Sequence, residues 1–127
     1  MPCIAVVDDD SDFVSMLRAA FDDEGWETVG YGKRLGAVNF LVYSHPDLII
    51  VDLGLEHPDA GWTLVELLRE GLHSVRDVPI VVCSGDATQL RQRSSWLRSN
   101  DIPVVQKPFE LDEMIGLVRD LLAQATP

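Results

Sequence analysis

The sequence predicts an α/β fold, an open parallel sheet with helices packed on both faces. Short runs rich in Val and Ile, IAVV at 4–7, LIIV at 48–51 and PIVV at 79–82, are bounded by turn formers and lack polar alternation, so they read as strands buried on both faces. Strand-like and helix-like segments alternate five times without a break, the pattern of a parallel sheet joined by helical crossovers. The apolar runs also end alike: the first runs into Asp8-Asp9-Asp10, the second into Asp52, the third into Ser84, and a fourth stretch, IPVVQ, into Lys107-Pro108. In an open parallel sheet the carboxyl ends of the strands share one edge, where ligands bind.

After the first strand, Phe13, Met16, Leu17, Ala20 and Phe21 recur at helical spacing, and Gly25 stops the helix. Asp10, Ser11 or Asp12 caps it, and acids there suit its positive end. WETVGY is the second strand, with a turn at Gly30 and Gly32, and residues 36–44 form a helix closed by His45-Pro46. DLIIVD is the third strand. A loop from Gly54 to Ala60 leads into GWTLVELLREGL, a helix with Leu64, Leu67, Leu68 and Leu72 facing inward. VPIVVCS is the fourth strand, and residues 87–99 form a more polar helix on Ala87, Leu90, Ser94 and Leu97. Pro103 falls in the last strand, which places that strand at a sheet edge. Leu111, Met114, Ile115, Val118, Leu121 and Leu122 give a final amphipathic helix, and AQATP is a frayed end or the start of a linker.

The 127 residues suit one domain, 1–127, with one core. Twenty-one acids against ten bases leave a net charge of -11, which argues against direct nucleic-acid binding and suits partners with basic patches. The N-terminus lacks the basic and apolar regions of a signal peptide, and no stretch approaches a membrane span. Cys3 and Cys83 sit in apolar strand-like runs, as buried free thiols of a reducing compartment do. A cytoplasmic protein with no membrane partner is expected.

The strand ends carry the chemistry. Asp52 closes the most apolar run, and Asp8 and Asp9 close a neighbouring strand, so their carboxylates repel one another unless a hard cation neutralises them. Mg2+ suits two or three carboxylates, a backbone carbonyl and several waters, with Mn2+ as a substitute. Lys107 supplies positive charge for a phosphoryl oxygen and Ser84 a hydroxyl donor, while a carboxylate serves as nucleophile toward phosphorus. Each feature has a plain alternative: an Asp run caps helices, an Asp after a strand turns the chain, and Ser-Gly-Asp and Lys-Pro are common in turns. Their joint occurrence at the ends of four parallel strands favours the chemical reading.

These residues resemble the receiver domain of two-component response regulators, over the whole chain. That family has an acidic pair after strand one, a phosphoacceptor Asp after strand three, Ser or Thr after strand four and Lys-Pro after strand five, here Asp8 with Asp9, Asp52, Ser84, and Lys107 with Pro108. The resemblance implies a flavodoxin-like, doubly wound (βα)5 fold with strand order 2-1-3-4-5. It implies that Asp52 takes a phosphoryl group from a sensor histidine kinase, a phosphotransfer protein or a small acyl phosphate. It also implies that Asp9, Asp52 and the carbonyl of Gly54 bind the cation directly, with Asp8 acting through water, and that the Lys107-Pro108 peptide is cis. Such a receiver is no enzyme beyond catalysing its own phosphorylation and dephosphorylation. Its signal goes to a downstream protein target, or to an output domain if the chain is part of a longer regulator.

Three departures stand out. The family usually has Tyr or Phe where Val104 stands, a ring that moves on phosphorylation. The loop after Asp52 is one residue longer, with a late Pro58, and the positions that often tune phosphoryl lifetime are Gly54 and Gly85, which leaves the site open. With Val104 as passive filler, the expected switch is a movement of Ser84 and of residues 85–88. That movement would carry the next helix and Trp96, which the helical wheel projects away from the apolar side, either as a docking residue or lying flat over the stems of its neighbours. Two other readings compete. A haloacid dehalogenase-type phosphatase would use Asp8 as nucleophile, but Asp12 and the missing late acidic pair depart from its motifs. A receiver-like interaction module that no longer switches is the other, suggested by Val104.

Overall fold

A computed structural model of the chain describes residues 1–57, 59–71 and 74–125. Ten elements alternate: β1 (Cys3–Val7), α1 (Ser11–Asp23), β2 (Glu27–Tyr31), α2 (Ala37–Ser44), β3 (Leu48–Asp52), α3 (Ala60–Glu70), β4 (Ile80–Ser84), α4 (Ala87–Ser99), β5 (Val104–Gln106) and α5 (Leu111–Ala125). The strands form one parallel sheet in the order β2-β1-β3-β4-β5, as the resemblance implied. The expected helix positions Leu72 and the late Pro58 lie outside the described residues.

Side chains alternate across a strand, so each buried strand feeds two cores. Ala5, Val7, Ile49, Val51, Ile80 and Val82 face the layer that holds Leu41, Leu64, Leu68 and Leu97. Ile4, Val6, Leu48, Ile50, Val81 and Cys83 face the layer that holds Leu17, Phe21, Met114 and Val118. The central β3 is therefore apolar from Leu48 to Val51, and its first polar side chain, Asp52, falls at the sheet edge.

Several local expectations change. Gly30 is not a turn residue; it is paired with Val6 inside β2, and a Cβ there would stand 2.8 Å from Val14 Cγ1. A side chain there would have to displace Val14. The inward residues of α1 are Val14, Leu17 and Phe21, while Met16 is 42% exposed. Leu67 likewise points outward at 41% exposure, because α3 packs through Trp62, Leu64, Val65 and Leu68. On α4 only Leu90 and Leu97 are buried, and Ala87 and Ser94 sit half-buried at the margin. Pro103 precedes β5, and its carbonyl accepts from Val82 N–H. Both cysteines are free, Cys83 buried and Cys3 half-buried. No helix among the described residues is long and apolar enough to cross a membrane.

Candidate functional site

The site lies at the carboxyl ends of β1, β3, β4 and β5. Asp8, Asp9 and Asp52 each bring a carboxylate oxygen within 4.8 Å of the others. Asp8 is the buried member, 3% exposed, and burial raises its pKa above the usual carboxylate value. The Asp10 N–H, 2.9 Å from Asp8 Oδ1, and Lys107 work against that rise. Asp10 itself caps α1, accepting from the N–H groups of Asp12 and Phe13, which settles the three-way choice of cap.

Lys107 reaches across from the end of β5. Its Nζ stands 3.0 Å from Asp8 Oδ2 and 3.5 Å from Asp52 Oδ2, and 4.0 Å from the centre of the Phe13 ring. Burial pulls the Lys107 pKa down, but the Asp8 hydrogen bond and the charges of Asp52 and Asp8 outweigh it, so the ammonium is held. The Lys107 N–H donates to Ser84 O at 2.8 Å, and the Lys107-Pro108 peptide is cis, as expected.

Ser84 is 3% exposed, and its Oγ accepts from the Asp86 N–H at 2.9 Å. Asp86 in turn caps α4, its carboxylate accepting from Gln89 N–H at 3.0 Å. The hydroxyl and the start of α4 are thus one bonded unit. Gly54 N–H donates to Asp52 Oδ1 at 3.1 Å. Gly54 and Gly85 are both exposed, and a Cβ at Gly85 would meet nothing within 4 Å.

The donor set fits a hard divalent cation: three clustered carboxylates and one lysine leave a surplus of negative charge on oxygen ligands alone. Asp8, Asp9 and Asp52 are the side chains able to hold it.

Trp96 corrects the helical wheel. It does not project away; it is half-buried against the core, its ring edge-on to Trp62 with centroids 4.8 Å apart. Arg93 lies over the same Trp62 ring at 4.5 Å. The wheel ignored α3, which supplies Trp62 as a neighbour. Val104, paired with Val82 across the sheet, is 39% exposed. Two contacts join distant parts of the chain in a way spacing does not reveal: Phe13 lies beneath Lys107, and the Glu56 N–H donates to Asp9 Oδ2 at 3.2 Å.

The sequence matches the response regulator receiver domain family over residues 4–119. The chain belongs to that family. It is 27% identical over 122 residues to the DNA-binding dual master transcriptional regulator RpaA of Synechocystis sp., covering 96% of this chain and 49% of that protein. It is 30% identical over 121 residues to the transcriptional regulatory protein PrrA of Mycobacterium tuberculosis, covering 95% of this chain and 50% of that protein. The receiver thus spans about half the length of these curated relatives. Its structure superposes on a Francisella response regulator 1452 receiver domain with TM-score 0.82 and 26% identity, covering 99% of this chain and 100% of that one. As a receiver, the chain is a signalling domain of a two-component system; receivers bind Mg2+ at an acidic pocket, and Asp8, Asp9 and Asp52 form a cluster able to hold a metal ion.

Proposed function

We propose that residues 1–127 work as one cytoplasmic receiver unit that accepts a phosphoryl group on Asp52 in a Mg2+-dependent reaction. The observation that carries this reading is Lys107 Nζ set between Asp8 and Asp52, beside the three-carboxylate cluster. An Asp52 oxygen attacks phosphorus; the bond from phosphorus to the donor's histidine nitrogen or acyl oxygen breaks, and its electron pair leaves with the donor. Lys107 then faces the new phosphoryl oxygens and Ser84 turns its hydroxyl toward them. Asp9, Asp52 and the Gly54 carbonyl would hold a Mg2+ directly and Asp8 through water, and the ion would supply charge neutralisation. Hydrolysis of the aspartyl phosphate returns the free carboxylate, and the open flanks at Gly54 and Gly85 admit water, which favours a short lifetime.

Signalling follows from the Ser84–Asp86 hydrogen bond. When Ser84 turns, the Asp86 N–H loses its acceptor, and the cap of α4 is released to move with Trp96 and Arg93. The partners are a histidine kinase or phosphotransfer protein upstream, and a downstream protein or an attached output domain.

The test is the mass of the protein after incubation with Mg2+ and a small acyl phosphate. One added phosphate is expected, and none in Asp52→Asn. Phosphate on Asp8 instead would favour the phosphatase reading.

A further inference from the structure

Glu56 takes no part in the chemistry above, yet three loops at the site meet on it. It sits between β3 and α3 with φ 62°, a left-handed conformation that L side chains rarely adopt. Its N–H donates to Asp9 Oδ2 at 3.2 Å, 47 positions away in sequence. Its Oε1 accepts from the Arg34 N–H at 2.5 Å, in the loop between β2 and α2. Among the described residues no other donor reaches the Asp9 carboxylate.

We propose that Glu56 is a positioning residue for the cation site. Its side chain, anchored on Arg34, holds the loop in the left-handed turn, and that turn aims the N–H that fixes Asp9. Asp9 is exposed and lies among two carboxylates that repel it, so without a donor it swings toward water. A carboxylate offers about four acceptor positions, so one N–H on Oδ2 leaves room for a cation. Holding the ligand beforehand removes an ordering cost from metal binding.

The inference rests on the Mg2+ reading, and its test separates the two. Mg2+ is titrated calorimetrically into unphosphorylated wild type, Glu56→Gln and Glu56→Ala, and amide exchange is followed without metal. Glu56→Ala should weaken Mg2+ binding roughly three- to tenfold and speed exchange of the residue 56 and Arg34 amides. Glu56→Gln keeps an oxygen for the Arg34 N–H and should stay within about twofold of wild type. At saturating Mg2+ the phosphorylation rate of Glu56→Ala should return to that of wild type. Wild-type affinity in Glu56→Ala, or an equal loss in Glu56→Gln, would overturn the positioning role. Failure of the wild type to bind Mg2+ would overturn the metal reading itself.

Discussion

Gly61 is the position where one methyl group should do most damage. It is the second residue of α3 and packs directly against the end of β3, where a Cβ would lie 2.1 Å from the Asp52 carbonyl oxygen, 2.6 Å from Leu53 Cα and 2.8 Å from Leu53 C. All three atoms are backbone of a central strand end, so no side chain can rotate away. The start of α3 would have to withdraw by roughly 1 Å, carrying the buried Trp62, Leu64 and Val65 with it. Overpacking of this kind costs about 1–3 kcal/mol, and a rigid neighbour puts Gly61→Ala near 3 kcal/mol. For a domain of this size that lowers Tm by roughly 10 °C. Urea unfolding should show an earlier midpoint with unchanged slope. Gly116 provides the control, because a Cβ there meets nothing within 4 Å. Gly116→Ala, inside α5, should stabilise by about 0.5–1 kcal/mol through helix propensity alone. A Gly61→Ala protein within about 0.5 kcal/mol of wild type would refute the packing argument.

Two further predictions follow from the charges and thiols. Lys107→Met removes the 3.0 Å partner of the buried Asp8 and should cost about 1–3 kcal/mol in metal-free buffer, with much of the loss recovered on adding Mg2+; unchanged stability without metal would show that the pair is not needed. Burial pushes the Cys83 thiol up to about 12 from 9.0, so the folded chain keeps a proton that the unfolded chain releases. Stability is therefore unaffected by this group below pH 9 and falls by up to about 1.4 kcal/mol per unit as pH rises from there toward 12. Cys83→Ala should flatten that decline in urea midpoints, and an unaltered decline would assign it to other groups.

Strand positions were legible because burial on both faces writes itself as unbroken apolar runs, as in Leu48–Val51. The acids and Lys107 were legible because they interrupt those runs at their ends. What stayed hidden depended on neighbours remote in sequence. Helical spacing with Phe13, Ala20 and Phe21 puts Met16 on the inner face of α1, but Gly30 makes room for Val14 there instead. Trp96 was read outward because a wheel contains one helix, whereas its partner Trp62 stands on another. The role of Glu56 depends on one backbone angle, which no composition or spacing encodes.

The shortness of β5 bears on how that edge of the sheet can be recognised. Three residues long, preceded by Pro103 and with Pro108 two positions beyond its end, it closes the sheet with scarcely any free main chain along its outer side. A partner approaching this edge finds too few unpaired N–H and C=O groups to lay down an added strand. Recognition there must read side chains, Val104 and Gln106 between the flanks of α4 and α5, instead of backbone. The same economy leaves few unpaired main-chain groups on that side for a second copy to pair with.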